Sequence, residues 1–151
     1  MAAGMIHIGL FDGIGGFGMA AAWCGIETVV SCEIGAFGSD VLASLFPAAY
    51  HHKDIRTLTK TIIDERLIPR FGADYGRRTI LTGEAAIGPV PGRLRRRPQA
   101  PRRADKRFNE EALRAAGNAI VPQVAYEIIR GIIAIERGEH FPDVRKEADK
   151  V

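Results

Sequence analysis

The feature that most constrains the fold of this chain is a glycine-rich turn between a strand-like run and a helix-like run. Residues 5–9 are largely apolar and typical of a buried strand, residues 19–24 favour a helix, and Leu10–Gly18 between them reads Leu-Phe-Asp-Gly-Ile-Gly-Gly-Phe-Gly. Glycines permit positive φ and let backbone N–H groups approach a ligand, and the positive end of the new helix points to the same place. The stretch predicts a nucleotide-type binding corner, although glycine turns alone are common.

Strands and helices alternate along the first half of the chain. The predicted strands are Ile6–Phe11, Glu27–Cys32, Ala49–His52 and Arg78–Thr82; the predicted helices are Gly16–Gly25, a helix capped by Ser39 or Asp40 that continues to Phe46, and Thr57–Leu67, with Pro69 beyond its end. Alternation of this kind is typical of a parallel sheet with right-handed crossovers. We therefore predict an α/β fold with helices on both faces of the sheet.

The second half of the chain differs from the first in composition and periodicity. Residues 84–107, rich in Arg, Pro and Gly, show neither helical nor strand periodicity and are interpreted as a linker. A short helix is expected over Phe108–Ala116, followed by a turn and a helix that starts at Pro122, carries a broad apolar face and ends near Arg137. We divide the chain into an α/β half (1–83), the linker (84–107), a segment that completes the same domain (108–138) and a flexible tail (139–151).

Charge and composition limit the function classes. The net charge is +3, but residues 93–107 hold eight basic residues and one acid, a net of +7, so the rest of the chain carries 3 − 7 = −4. The arginine run could bind nucleic-acid phosphates, or it could be a solvated loop, which is the commoner case. Two cysteines without metal-ligand spacing, together with the lack of an apolar run of membrane-spanning length, predict a cytoplasmic protein without a disulfide framework, metal site or membrane contact.

Two acidic residues follow predicted strands where a ligand on the glycine turn would lie. Glu33 ends the second strand, about 20 residues after the turn, where an acid can accept both hydroxyls of a ribose. Asp54 ends the third strand, where a carboxylate can accept an adenine amino group. Ile34 and Ile55 flank the same crevice and could enclose the flat base. Either acid alone could be a solvated strand end, but both together behind a glycine turn favour nucleoside binding.

These residues resemble the motifs of the cytosine-C5 DNA methyltransferases. Phe-Asp-Gly-Ile-Gly-Gly at residues 11–16, Glu33 and Asp54-Ile55 are similar to the first three motifs of that family, and Gly-Asn-Ala-Ile-Val-Pro at residues 117–122 is similar to its last motif. The resemblance covers about three quarters of the chain by the order and spacing of the motifs. It implies a partial Rossmann-like S-adenosylmethionine-dependent methyltransferase sheet with strand order 3-2-1-4 and the final helix beside the first.

The resemblance also implies a cofactor, S-adenosylmethionine, and a set of residues around it. Phe11 would pack on the adenine, Glu33 would bind the ribose, Ile34 would stack, and Asp54 and Ile55 would hold the base. The turn would line the methionine part with Asp12, Gly13, Gly15 and Gly16, and Asn118 and Ala119 would lie against the methionine end. The implied partner is duplex DNA, and the implied reaction is methyl transfer to carbon 5 of cytosine.

The chain departs from the family at the reacting groups. The family's nucleophile is a cysteine in a Pro-Cys loop after the fourth strand, whereas this chain continues there as Gly-Glu-Ala-Ala-Ile-Gly-Pro, and its only cysteines are Cys24 and Cys32. The Glu-Asn-Val motif, the Gln-x-Arg-x-Arg motif and a target-recognition region are missing as well. Because covalent addition to the base and base flipping need these parts, we assign no catalytic residue and predict that this chain alone is inactive.

Two other functions stay open at this point. One is a cofactor-binding subunit of a split methyltransferase, whose second chain would carry the missing motifs. The other is a nicotinamide-dinucleotide oxidoreductase that uses the same glycine turn. Asp54 and the Asn118 motif argue against the oxidoreductase.

Overall fold

The computed structural model describes residues 4–83 and 120–139, which form an α/β unit around a four-stranded parallel sheet. The strands are β1 (Ile6–Leu10), β2 (Glu27–Cys32), β3 (Tyr50–His52) and β4 (Thr79–Gly83), and the helices are α1 (Gly16–Trp23), α2 (Ala36–Leu45), α3 (Lys60–Phe71) and α4 (Pro122–Glu136). The strand order is β3-β2-β1-β4, with every pair parallel. The predicted α/β class with a parallel sheet and the strand order 3-2-1-4 are confirmed.

The sheet is covered on both faces, since consecutive residues of β1 and β2, whose side chains alternate between the faces, are buried. On one face, Ala20 and Ala21 of α1 pack with Ala125 and Ile129 of α4 and with Ile80 of β4. The other face is filled from α3 and the neighbouring 3-10 turn Tyr75–Arg78, in a cluster made of Ile6, Ile8, Val29, Val30, Leu67 and Tyr75. Strands that are buried along their length in this way are typical of parallel sheets with helices on both sides.

The expectation that the final helix lies beside the first is also confirmed. Ala125 and Ile129 are fully buried against α1, and Trp23 meets Tyr126 edge to face with 6.0 Å between the ring centroids. The predicted linker 84–107, the predicted helix Phe108–Ala116 and most of the tail lie outside the described residues. Within residues 4–83 and 120–139, the structure contains no helix that is long and apolar enough to cross a membrane.

Two predicted helix boundaries are wrong. Ser39 and Asp40 do not cap α2, which begins at Ala36, because the Ser39 N–H already donates to the Gly35 carbonyl at 2.9 Å inside the first turn. α3 does not end before Pro69 but continues through it to Phe71. Proline in a helix removes one hydrogen bond, and the burial of Leu67 and Phe71 on the sheet offsets that loss in the last turn.

Candidate functional site

The glycine turn at the carboxyl end of β1 has the positive φ angles that its glycines predict, and one more at Phe11 that was not predicted. Phe11 has a φ of 53° and is the only non-glycine residue with positive φ in the part of the chain that the structure describes. Gly13 and Gly15 follow with φ of 54° and 84°. The Gly15 N–H donates to the Asp12 carbonyl at 2.7 Å, which closes the turn. A large residue in the left-handed region costs free energy, and such strain concentrates at ligand sites.

Phe11 is consequently turned out of the core, with 48% of its surface exposed. α1 starts directly after the turn at Gly16, and no side chain caps its first N–H groups. This end of the helix therefore presents backbone donors and a partial positive charge at the same edge of the sheet as Phe11.

Close packing around Asp12 joins the turn to the ends of β1 and β2. The Asp12 carboxylate is buried above Gly9, so that a Cβ atom at Gly9 would overlap it, and the Asp12 backbone N–H donates to the Cys32 carbonyl at 3.1 Å. The structure thus gives Asp12 an inward position in which it fixes the turn to the end of β2.

Glu33 connects the turn to the next loop. One carboxylate oxygen accepts from the Gly13 N–H at 2.9 Å, and the other accepts from the Gly35 N–H at 2.7 Å. A Cβ atom at Gly38 of α2 would lie 2.5 Å from the Gly13 carbonyl oxygen and 2.9 Å from Glu33 Cγ. Only glycine at position 38 lets α2 support both groups in this arrangement.

An apolar surface lies beside this carboxylate. Ile34, the next residue, is 69% exposed. Phe11 and Ile34 follow adjacent strands of the sheet, β1 and β2, so the exposed side chains stand at one edge. Ligand sites typically combine apolar side chains with a few fixed polar groups, and this edge of the sheet presents both.

Asp54 stands after β3, as predicted, but its carboxylate is already engaged. Both oxygens bind the Arg56 guanidinium, the shorter contact being 2.6 Å from Nη2, and one oxygen also accepts the Arg56 backbone N–H at 3.0 Å. These hydrogen bonds from Arg56 lower the pKa of Asp54 to about 2. Ile55 starts the 3-10 turn Ile55–Thr57 and is half-buried.

The remaining predicted site residues are placed only in part. Gly16 opens α1 at the turn, whereas Asn118 and Ala119 lie outside the described residues. Cys32 is buried at the end of β2, and Cys24 is half-buried after α1; burial raises the pKa of both thiols, so neither carries the features of an activated nucleophile. Among residues 4–83 and 120–139, no group of three His, Cys, Asp or Glu side chains could hold a metal ion.

A buried histidine in the sheet was not predicted from the sequence. His7 is fully buried on β1, with Nδ1 2.9 Å from Thr28 Oγ1 and Nε2 2.8 Å from Thr82 Oγ1. Burial lowers its pKa to about 4. The sequence does contain a signal for it, since a histidine within an apolar strand needs partners on the neighbouring strands, and threonines occur on both.

Comparison with known proteins adds no assignment: no family model, no curated protein and no solved structure matches this chain.

Proposed function

We propose that this chain binds S-adenosylmethionine at the carboxyl edge of its sheet and is the cofactor-binding part of a DNA (cytosine-5-)-methyltransferase. The proposal rests on the motif resemblance, and the observation that supports it best is the Glu33 carboxylate. It is fixed by two backbone N–H groups, at 2.9 and 2.7 Å, next to the exposed side chains Phe11 and Ile34. In parallel α/β sheets, ligands bind outside the carboxyl ends of the strands, where the strand order reverses; here it reverses between β1 and β4, at the strand that the glycine turn follows.

The donor and acceptor chemistry of the edge fits the cofactor. Each Glu33 oxygen accepts one N–H and retains a further lone pair, so the carboxylate can also accept ribose hydroxyls. Phe11 and Ile34 offer apolar surface to the adenine. The uncapped start of α1 suits the carboxylate of the methionine part. When bound, S-adenosylmethionine supplies an electrophilic methyl group on sulfur.

Asp54 fits the cofactor on one condition. To accept an adenine amino group, at least one Asp54 oxygen must either accept it beside the Arg56 guanidinium or release the guanidinium. The pair is exposed on the Arg56 side, with 79% of that side chain accessible, so water can replace the contact. Arg56 therefore keeps the carboxylate ionised and oriented without closing it off.

Calorimetric titration of the full chain with S-adenosylmethionine tests the proposal. We expect binding, and we expect Glu33→Gln to weaken it by about 10- to 100-fold, the loss typical of charge-assisted hydrogen bonds. Glu27→Gln is the matched control, because Glu27 begins the same strand at the opposite edge and pairs with Arg70 at 2.8 Å. No measurable binding of S-adenosylmethionine, a lower dissociation constant for NAD than for S-adenosylmethionine, or equal losses in the two variants would overturn the proposal.

A role as one subunit of a split methyltransferase is a second proposal, supported by the free edge of the sheet. In the described residues, β4 pairs only with β1, and Leu81 on it is 62% exposed. A second chain that supplies the Pro-Cys loop would have an edge strand to extend. Methyl transfer to duplex DNA that requires both purified chains would support this role, and activity of the second chain alone, unchanged by the first, would exclude it.

A further inference from the structure

His52, the last residue of β3, is connected to both acidic residues of the candidate site. Its carbonyl accepts the Glu33 backbone N–H at 3.1 Å, and its imidazole Nε2 lies 2.8 Å from Thr57 Oγ1. The Thr57 hydroxyl in turn donates to the Asp54 carbonyl at 2.8 Å. One histidine therefore links the backbone of Glu33 with the turn that presents the Asp54 carboxylate.

The direction of each hydrogen bond follows from the protons that are available. A carbonyl only accepts, and the Thr57 hydroxyl has a single proton, which it gives to the Asp54 carbonyl. The hydroxyl oxygen then accepts from His52, which places the proton of the neutral imidazole on Nε2. Nδ1 is left as an acceptor for the Tyr50 hydroxyl, 3.1 Å away. We call the side chains of Tyr50, His52 and Thr57 the His52 bridge.

The inner end of the His52 bridge is fixed to the fold. Tyr50 is partly buried against the core cluster that includes Leu67 of α3, and the Arg66 guanidinium lies 4.8 Å from the centre of its ring. The rings of Tyr50 and His52 stand 5.9 Å apart, since alternate residues of a strand point to the same side. The His52 bridge therefore attaches the exposed turn after β3 to the buried part of the sheet.

The turn needs such an attachment because Arg56 alone cannot hold Asp54 in the bound state. A ligand that donates an amino group to the carboxylate must share or replace the exposed Arg56 guanidinium. Backbone contacts within the turn are then left to orient Asp54. Its carboxylate accepts the Arg56 N–H at 3.0 Å, and its carbonyl accepts the N–H and the hydroxyl of Thr57 at 2.9 and 2.8 Å. The direction of the carboxylate therefore depends on Thr57, whose hydroxyl is held by His52.

We propose that His52 is a positioning residue for adenine recognition, which acts through Thr57 to hold the Asp54 carboxylate opposite the 6-amino group of S-adenosylmethionine. The inference rests on the proposed function and adds a source of base selectivity to it. A site that accepts a ligand N–H rejects an analogue without that group only while its acceptor stays in place. Because the contact to Glu33 uses the His52 backbone, side-chain changes in the His52 bridge should alter adenine selectivity more than ribose binding.

Calorimetry of the full chain with two ligands tests this role. The ligands are S-adenosylmethionine and an analogue whose purine carries hydrogen in place of the 6-amino group, and we expect the wild type to prefer the former by about 10-fold. Thr57→Val removes the hydroxyl at nearly constant shape and should lower this preference roughly 2- to 10-fold. Thr57→Ser keeps the hydroxyl and should retain the preference. Thr61→Val, at an exposed threonine of α3, is the matched control and should change nothing.

A double variant tests whether the side chains act as one unit. His52→Leu should lower the preference as Thr57→Val does, and the two changes together should cost no more than either alone, because one break already interrupts the His52 bridge. Circular dichroism verifies that the variants fold. Additive losses, or equal weakening of both ligands, would mean that His52 and Thr57 have no common role in selecting adenine and would overturn the inference.

The wild-type and Thr57→Val titrations separate this inference from the proposed function. If the wild type binds S-adenosylmethionine but shows no preference, or Thr57→Val keeps the full preference, the role of His52 is overturned and the proposed function stands. If the wild type does not bind S-adenosylmethionine, both are overturned.

Nuclear magnetic resonance of the ¹⁵N-labelled, ligand-free chain tests the direction of the hydrogen bonds. Correlation of the imidazole nitrogens with the carbon-bound ring protons distinguishes the two neutral tautomers, and the loss of these signals in His52→Gln assigns them. We expect the Nε2–H form of His52 at a pH where the ring is neutral. A predominant Nδ1–H form would mean that Thr57 donates to the ring instead of to Asp54, and this would overturn the inference whether or not S-adenosylmethionine binds.

Discussion

At the scale of single residues, Glu33 is the side chain that connects the parts of the candidate site. Its two oxygens tie the glycine turn to the start of α2, and its position at the end of β2 follows from the sequence. The sequence could not predict that the same carboxylate would hold two backbone N–H groups, because those contacts depend on the positive φ of Gly13 and on how α2 approaches. Likewise, the bidentate Arg56 contact on Asp54 follows from a turn geometry that strand spacing does not specify.

His7 gives a prediction about pH. Burial lowers its pKa from 6.5 to about 4, so between these values the unfolded chain binds a proton that the folded chain does not. The free energy of unfolding should therefore have its full value above pH 6.5 and fall by about 3 kcal/mol as the pH drops to about 4. Urea unfolding across this window measures the change.

His7→Gln supplies the control for that measurement. An amide can still hydrogen-bond the hydroxyls of Thr28 and Thr82, but it does not titrate. We expect the variant to be less stable near neutral pH and to lose less stability on acidification over the same window. The Asp54 carboxyl has a pKa of about 2, so it titrates below this pH window. Parallel pH curves for the two proteins would show that His7 is not responsible.

At the scale of elements, the strands can be predicted well because their signal is local. Apolar, β-branched runs between glycines and turns define β1, β2 and β4 to within a residue or two of the structure. The start of α2 is harder to predict because a serine there resembles a cap, whereas Gly35 occupies that position with its N–H on Glu33. The end of α3 is hard to predict from the sequence because the helix continues through Pro69 to Phe71, which packs partly buried against the core.

The packing of α2 on the glycine turn gives a second prediction. Gly38→Ala adds a Cβ atom 2.5 Å from the Gly13 carbonyl oxygen, so the helix and the turn must separate. We expect a loss of about 1–3 kcal/mol of stability, as for overpacked sites, together with weaker binding of S-adenosylmethionine. Thermal unfolding and calorimetry measure the two effects.

Gly76→Ala is the comparison for this change. A Cβ atom at Gly76, in the 3-10 turn Tyr75–Arg78, meets nothing within 4 Å, so the same substitution should alter neither stability nor binding appreciably. If Gly38→Ala behaves like Gly76→Ala in both measurements, α2 does not support the site in the way described.

At the scale of the whole molecule, the described residues provide a candidate cofactor edge without a nucleophile for cytosine. The chain has two cysteines; Cys32 is buried in the sheet, and Cys24 follows α1 away from the glycine turn's ligand-facing edge. The sequence alone could predict that Phe11, Glu33 and Asp54 stand at one edge of the sheet, because each follows the end of a single strand. The sequence could not predict which residues of α4 are exposed, since the exposed and the buried ones form one broad apolar face in the sequence.

Because neither of its two cysteines is a candidate nucleophile, we predict that the purified chain does not methylate DNA by itself. Removing the nucleophile of a covalent mechanism typically lowers the rate by many orders of magnitude. Transfer of labelled methyl from S-adenosylmethionine to mixed-sequence duplex DNA should equal the no-enzyme background. Incorporation that disappears with Cys32→Ser alone would identify a nucleophile at β2 and contradict the assignment.

The most direct test of the central claim is a nuclear magnetic resonance titration of the full, ¹⁵N-labelled chain with S-adenosylmethionine. The amides of Gly13 and Gly35, which donate to Glu33, report on the candidate edge, and the amides of α3 on the far face serve as an internal reference. We expect saturable shifts concentrated at Gly13, Ile34 and Gly35, and little change in α3. Spectra that do not change, or shifts concentrated in α3, would contradict cofactor binding at the glycine turn.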